Sequence, residues 1–322
     1  MRTPSYGRNL RPHPCREISP FNNDPPKEKN NMLNVYTPFP RYENAIIVGD
    51  TAAEALAALR IYGRGLVGGD IPAMEVWHPT EKMLECTSCA IHDRPSILES
   101  AARRIDAEYI LLEENGDPHL NPIVMKEPLE AAGFTVKVID VKGEALEVVA
   151  RAAALYGEEK QAERIARDYE ERLAAVKAKP ALPKLRVLTL LGIRHPIEDA
   201  VYCLAATRRS DLSAEIVEAL GCENPVDVPE SSEQIRGMYS LSEQSLADLI
   251  LASAPDAVVL SGDSTAAWKF VKQALELRPT IGVGKAFRHH ALIALPWYCR
   301  PMGWRMPRVL EVWYGALSAL AR

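Results

Sequence analysis

The chain has 322 residues, 47% of them hydrophobic and 25% charged, which is the composition of an ordinary globular protein. A net charge of -5 makes a nucleic-acid or anionic-membrane partner unexpected, because phosphate binding needs clustered Lys and Arg. No apolar run reaches the roughly 18 residues that a membrane-spanning helix needs. The length suffices for two modest hydrophobic cores, so two domains are expected.

The first thirty residues are rich in Pro, Asn and charge and poor in aliphatic side chains. Such a segment cannot bury enough apolar surface to offset the entropy of ordering it, so residues 1–40 are predicted to be a disordered tail. The N-terminus shows no apolar signal segment followed by a cleavage site. As written, the sequence indicates a cytoplasmic protein; an export signal lost from it would make the protein extracytoplasmic instead.

Short β-branched runs alternate with helical patterns in both halves of the chain. In the first half, strands are predicted at residues 44–48, 65–67, 109–112 and 135–139, with a helical run at 52–63 that Asp50 or Thr51 is placed to cap. In the second half, strands are predicted at 186–190, 257–260 and 291–295, and helices at 213–220 and 307–320. The alternation predicts an α/β fold of two three-layer α/β/α lobes, each with a parallel sheet whose strand-end loops face a ligand crevice.

A long amphipathic helix is predicted between these halves, at residues 158–179. Its apolar residues follow one another at steps of four, four and three: Ile165, Tyr169, Leu173 and Val176. Gly157 precedes the helix and Pro180 stops it. The predicted organisation is therefore an N-terminal lobe (41–156), a linker helix (157–180) and a C-terminal lobe (181–322).

Three stretches resemble a known family. They are RPSILESAARRIDAEYILL at 94–112, the strand, short helix and linker helix at 131–176, and GCENPVDV at 221–228 followed by SLSEQSLADLILASAPDAVVLSGD. The closing runs ALIALPWY and PRVLEVWYGALSAL fit the same pattern. These segments are similar to the substrate-binding proteins of ABC importers for cobalamin, ferric siderophores and haem, in which a single rigid helix joins two lobes.

This resemblance implies a periplasmic-binding-protein-like fold with a helical backbone, a monomer, and a metal-chelate ligand (corrinoid, ferric siderophore or haem) held between the lobes. It also implies an ABC permease as partner, no intrinsic cofactor and no enzymatic activity. The family docks on its permease through one surface carboxylate in each lobe. Glu99 matches the first-lobe position, and Glu243 and Asp248 are alternative matches in the second lobe; all three are also ordinary solvated helix residues by pattern.

Ligand contacts are expected from the strand-end loops. Aromatic faces there would cover a macrocycle, arginine forks would pair with ligand carboxylates, and neutral imidazoles would ligate a chelated metal. The candidates are Asp50, Thr51, Asp70, Trp77, His119, Arg194, His195, Asp263, Trp297, Tyr298 and Arg300.

The CTSC motif at Cys86 to Cys89 is compatible with three interpretations. Two thiolates at this spacing, with His78 before and His92 after, suit zinc or another soft metal ion. The same spacing suits a redox pair, and the pair is also compatible with ordinary thiols in a loop. A second CxxC motif, which a structural zinc site would normally bring, does not occur in the sequence.

The sequence thus favours a substrate-binding protein that captures a metal chelate between two lobes and delivers it to an ABC permease. The alternative is a cytosolic protein that handles a corrinoid, haem or metal, including a chelatase-like enzyme on the same scaffold; CTSC favours this alternative and Glu99 the first. A third class is an interaction protein without a transport role. The catalytic patterns GxSxG and HExxH and the P-loop do not occur; GxGxxG occurs once, as GRGLVG at 63–68, where it overlaps the predicted strand at 65–67 instead of following a strand and opening a helix.

Overall fold

A five-stranded parallel sheet organises the first half of the protein in this computed structural model, which describes residues 40–69, 78–194, 200–232 and 237–320. Its strands are β2 (Ala45–Val48), β4 (Gly65–Gly68), β5 (Lys82–Cys86), β6 (Tyr109–Glu114) and β7 (Val136–Asp140). They are ordered β5-β4-β2-β6-β7. Two short strands, β1 (Arg41–Tyr42) and β3 (Ile61–Tyr62), pair with each other outside this sheet.

Helices cover both faces of this sheet. They are α1 (Asp50–Ala58), α2 (Ser96–Ile105), α3 (Lys126–Ala131) and α4 (Ala145–Tyr156), with a π-helical turn at Cys89–Asp93. In β2, Ala45 and Ile47 pack in the core that contains α1 and α4, whereas Ile46 and Val48 pack in the core beneath α2 and α3. A strand that is apolar at every position is therefore buried on both faces, as in a central strand of a parallel sheet.

The predicted linker helix is present as α5 (Glu159–Lys177), which has 19 residues. Gly157 ends α4 in the left-handed region, at φ 71°, a conformation that glycine adopts without a Cβ clash. Val176 of α5 is buried, and Ile165 and Leu173 pack partly buried against the same core. One apolar stripe thus attaches the helix to α4 on one side and to the C-terminal helix on the other.

The second sheet is mixed rather than parallel. Its strands are β8 (Val187–Arg194), β9 (Val201–Ala206), β10 (Met238–Leu241), β11 (Ala257–Gly262) and β12 (Leu292–Ala294), in the order β10-β9-β8-β11-β12. β8, β11 and β12 run parallel, whereas β9 is antiparallel to β8 and β10 to β9. The expectation of an all-parallel sheet was wrong here, because β9 and β10 were not recognised.

The helices of the second half are α6 (Glu243–Ser253), α7 (Ser264–Leu277), the single turn α8 (Lys285–Arg288) and α9 (Met306–Leu320), with a π-helical segment at Ser213–Glu218 and a 3-10 segment at Arg300–Arg305. The 3-10 segment packs against α1 and α4 of the first half. One core cluster accordingly runs from α1 and α4 through Val176 to β8 and β11.

The predicted strands and helices are present, with three differences. α1 ends at Ala58 rather than continuing to residue 63, because Arg60 takes a left-handed conformation, at φ 61°, and Ile61 starts β3. β5, which ends in Cys86, was not predicted, so the CTSC motif does not lie in a loop. β9 and β10 were also missed.

Residues 39–322 form one compact unit. The division into an N-terminal lobe (41–156), a linker (157–180) and a C-terminal lobe (181–322) stays a prediction. The predicted tail at 1–40 lies outside the described residues except for Pro40. Within the described ranges, every helix is too short or too polar to cross a membrane.

Candidate functional site

A cavity of about 270 Å³ lies where both halves of the chain meet. The first half lines it through the start of α1 and through the loop from β7 into α4; the second half lines it through the start of the Ser213 segment and the Arg300–Arg305 turn. The residues that matter below are Thr51, Ala55 and Gly143 on one side and Asp211, Arg300 and Trp304 on the other. Thr51 and Gly143 follow the carboxyl ends of parallel strands, the usual edge for ligand sites in such sheets.

The N-terminus of α1, beside this cavity, is capped by a residue from another strand. Glu113 Oε2 in β6 accepts hydrogen bonds from the Thr51 and Ala52 amides, at 3.0 and 3.1 Å. The expectation that Asp50 or Thr51 caps the helix was wrong, because Gly49 occupies the cap position and no side chain there bonds back. Asp50 is buried as the first helical residue, and its Oδ1 accepts from the Gly69 amide at 2.8 Å.

Glu113 is a buried carboxyl group, 5% exposed. Burial raises the pKa of Glu113 to about 7, although the hydrogen bond from the Ala52 amide and that from the Asn115 side chain oppose the shift. The Glu113 side chain also packs directly against Gly49. Gly49 has φ 118°, and a Cβ there would lie 2.1 Å from Glu113 Cδ. Only glycine fits this contact, which lies in the turn between β2 and α1.

Arg300, one of the predicted ligand residues, places an accessible positive charge in the cavity wall. Its side chain is 71% exposed, and its Nε lies 3.3 Å from Glu215 and 3.6 Å from Asp211. Thr51 also lines the cavity. Ligand contact by Asp50, Thr51 and Arg300 stays a prediction. Trp304, which no sequence signal singled out, lies beside Arg300 in the same wall.

Arg194 and Asp263 were predicted as separate ligand contacts and pair with each other. Arg194 Nε lies 2.9 Å from an Asp263 carboxylate oxygen, at the carboxyl ends of β8 and β11. Asp263 also caps α7 by accepting from the Ala266 amide at 2.9 Å. A ligand role for either residue stays a prediction.

Trp297 and Tyr298 are buried, with 5% and 3% exposure, so their ring faces are covered in this structure. Tyr298 donates its hydroxyl hydrogen to Glu215. His119 is exposed, and its carbonyl oxygen accepts from His92 Nε2 at 3.1 Å. Contact of these side chains with a ligand stays a prediction. Three further candidates lie outside the described residues: Asp70, Trp77 and His195.

The structure also holds a buried ionic cluster that sequence reasoning missed. Glu54 of α1 is fully buried and contacts His78, whose other ring nitrogen lies 2.7 Å from Glu81. Trp304 Nε1 and Arg305 Nε donate to the second Glu54 oxygen, at 3.0 and 2.8 Å. The cluster ties α1 to the turn before α9. Its only sequence signal was a lone glutamate on an otherwise apolar helix face.

The three predicted docking carboxylates lie on helices. Glu99 is in the first turn of α2 and is half-buried. Glu243 opens α6, and Asp248 further along that helix accepts from Gln244 and lies 3.8 Å from Arg278. Their role in docking stays a prediction.

Cys86 and Cys89 are joined by a disulfide. Cys86 ends β5, and Cys89 begins the π-helical turn Cys89–Asp93. Glu85 is the third member of this group of potential metal ligands, whereas His78 is held between Glu54 and Glu81. Binding of a metal stays a prediction and requires the reduced thiols, because a disulfide offers no thiolate.

No protein-family model matches the chain, and no curated protein matches it. Solved structures do. They include the periplasmic haem-binding protein BhuT in complex with two haems, at 19% identity and TM-score 0.56, with 87% of this chain and 100% of that chain covered. The apo haem-binding protein RhuT from Roseiflexus sp. RS-1 has 16% identity and TM-score 0.57 at the same coverage.

The triscatecholate siderophore-binding protein FeuA from Bacillus subtilis, complexed with ferri-bacillibactin, has 15% identity and TM-score 0.54, with 85% of this chain and 92% of that chain covered. Identities this low establish a common fold and nothing finer. The protein therefore has the fold of the two-lobed periplasmic binding proteins with a helical backbone, and the predicted fold class is confirmed.

Proposed function

We propose that this protein captures a metal chelate in the cavity between its two halves and presents it to an ABC permease. The observation that carries the proposal is the cavity itself, which residues of both halves line, with Thr51 and Gly143 at the carboxyl edge of the first sheet. The similar solved structures support it, since their names describe binding of haem and of a ferric siderophore.

The walls of the cavity favour a ligand with an apolar body and an anionic edge. Ala55 and Trp304 supply apolar surface, and the exposed Arg300 guanidinium supplies a positive charge. Asp211 and Glu215 lie on one side of Arg300 and offset part of its charge, so an anionic ligand would bind its exposed side and compete with these two carboxylates. Haem propionates and ferric siderophores both carry negative groups that a planar guanidinium can pair with.

The size of the cavity adds a constraint. Pockets that enclose a drug-sized ligand measure roughly 300–1,000 Å³, whereas this one measures about 270 Å³. A macrocyclic chelate would therefore insert one edge, or the two halves would separate to admit it. The linker helix α5 resists bending, so we favour a small separation over a wide hinge motion.

The second candidate is a cytosolic corrinoid-, haem- or metal-handling protein, including a chelatase-like enzyme. The grouping of Glu85, Cys86 and Cys89 favours it, because thiolate and carboxylate ligands suit a transferable metal ion. The two candidates predict different ligands: the first requires a metal chelate to bind, and only the second requires the free metal ion to bind.

The test is a titration of the purified full-length chain with haem, ferric tris-catecholate and hydroxamate chelates and cobalamin, followed by absorption and tryptophan fluorescence. We expect one of these chelates to bind with a Kd in the micromolar range or tighter, and Arg300→Ala to weaken it about tenfold or more. The matched control is Arg208→Ala, whose side chain pairs with Glu223 and Asp227 and does not line the cavity. If no chelate binds at micromolar concentration, the proposal for this ligand class fails.

A further inference from the structure

A compact group of metal-binding side chains lies at the carboxyl end of edge strand β5. The ligand atoms of Glu85, Cys86 and Cys89 all lie within 4.8 Å of one another, and all three residues are half-buried. The cysteine Cα atoms are 5.2 Å apart. Solvent can therefore reach the group, while the backbone of β5 and the following helical turn hold its members together.

Three hydrogen bonds orient the members of this group. The Cys89 amide donates to Cys86 Sγ at 3.0 Å, which holds that sulfur beside the start of the helical turn. The Glu85 carboxylate accepts from the Cys86 amide at 3.1 Å and from Arg94 at 2.9 Å, so its orientation is set. An ionised carboxylate offers about four lone-pair sites, and both partners leave some of these available to a cation.

The spacing suits tetrahedral zinc after modest adjustment. Zinc–sulfur bonds of about 2.3 Å and zinc–oxygen bonds of about 2.1 Å place neighbouring ligand atoms about 3.5–3.8 Å apart. Reduction lets the two sulfur atoms separate to this distance, and a Glu85 carboxylate oxygen lies within 4.8 Å of both, so a small side-chain movement completes the set. Three protein ligands leave the fourth position to water, which is the arrangement of an exchangeable rather than a structural zinc ion.

We propose that Glu85, Cys86 and Cys89 form a redox-controlled site for a soft divalent cation such as Zn²⁺, with the dithiol state binding the ion and the disulfide state releasing it. In release, the two thiolates lose two electrons in total and form the Cys86–Cys89 bond. A small-molecule disulfide accepts these two electrons with two protons and leaves as two thiols, and the zinc ion departs as Zn²⁺. Reduction by a small thiol reverses each step. The inference does not depend on the proposed capture of a metal chelate, because no ligand of the cavity takes part; it would supply the metal site of the second candidate function.

The test uses the full-length chain with Cys15→Ser, which removes a thiol outside the described residues. After reduction by a phosphine and anaerobic desalting, the protein is titrated with Co²⁺ as a spectroscopic probe. We expect one equivalent to bind with thiolate-to-cobalt charge-transfer absorption, and Zn²⁺ to displace it. Oxidation by a small disulfide should remove the absorption and prevent rebinding. The buried Cys203, Cys222 and Cys299 remain in every sample as an internal control.

Variants identify the ligands. Glu85→Gln should weaken Co²⁺ binding about tenfold or more while leaving the disulfide intact, whereas Glu114→Gln, another glutamate at a strand's carboxyl end, should leave it unchanged. Cys86→Ser and Cys89→Ser should each abolish the charge-transfer absorption, with circular dichroism confirming that the fold persists. The proposal is overturned if the reduced protein binds no Co²⁺, if the oxidised protein binds equally well, or if either cysteine variant keeps the absorption. Unchanged affinity in Glu85→Gln would overturn the three-ligand site.

Discussion

His78 Nε2 lies 2.9 Å from Glu54 Oε1, although the two residues are 24 positions apart in the chain. Both side chains are essentially inaccessible to solvent, at 1% and 0% exposure. Glu81 faces the other ring nitrogen of His78, and Arg305 faces the other oxygen of Glu54. The two buried carboxylates thus share two partners that can carry positive charge, so each carboxylate has a cationic group beside it.

The first prediction concerns pH. Burial alone would lower the pKa of His78, but hydrogen bonds to Glu54 and Glu81 outweigh it and raise the pKa to about 9. A raised histidine pKa stabilises the fold fully below the unfolded-state value of about 6.5, and this contribution, roughly 3 kcal/mol, is lost as pH rises through about 9. The difference in Tm between wild type and His78→Asn should therefore shrink from pH 6 to pH 10. The exposed His289→Asn serves as control, and a pH-independent difference would contradict the assignment.

A second prediction tests the ionic partners of Glu54. Glu54→Gln removes the negative charge that His78 and Arg305 share, and leaves the buried His78 and the half-buried Arg305 with less compensation. Breaking a buried ion pair from one side typically costs about 3–5 kcal/mol, so urea denaturation should show a loss of this size. Glu276→Gln on α7 removes an exposed partner of Lys272 and should cost less than about 1 kcal/mol. Equal losses in the two variants would rule out a special role for the buried cluster.

The third prediction separates a steric clash from backbone strain. Gly49→Ala places a Cβ 2.1 Å from Glu113 Cδ in a backbone with φ 118°, so the Glu113 cap of α1 must move. Gly133→Ala has a similar positive φ of 87° but meets no atom within 4 Å. Its cost is the backbone strain alone, about 1–2 kcal/mol. In urea denaturation, Gly49→Ala should therefore lower the free energy of unfolding by about 2 kcal/mol more than Gly133→Ala. Equal losses in the two variants would mean that the Glu113 side chain moves away from the new Cβ at no cost in stability.

The fourth prediction addresses the permease. If Glu99 contacts a permease, Glu99→Ala should reduce ligand delivery in reconstituted vesicles severalfold while the Kd for the ligand stays unchanged, because Glu99 does not line the cavity. The exposed Glu108→Ala, which follows α2, provides the control for a general loss of surface charge. A weaker ligand affinity in Glu99→Ala would argue for a role in binding instead of docking.

The amino-acid sequence by itself determined the main elements of the fold. The strand Ala45–Val48 and the helix Glu159–Lys177 both follow from their apolar spacing, which is a local property of the chain. The resemblance of three stretches to binding proteins with a helical backbone then indicated the architecture that the structure shows. β9 escaped prediction because VYCLAA is a short, continuous apolar run without alternation, and periodicity alone cannot distinguish such a run from a helix segment.

Only the tertiary structure decided which polar groups meet. Glu113 accepts a hydrogen bond from the amide of Thr51, 62 positions earlier in the chain, and Arg305 donates one to Glu54, 251 positions earlier. The periodicity that predicts a strand or helix carries no information about such partners, because they depend on how the chain returns on itself. Burial raises the pKa of Glu113, whereas hydrogen bonds to Glu54 and Glu81 raise that of His78, and both the burial and these partners exist only in the folded chain.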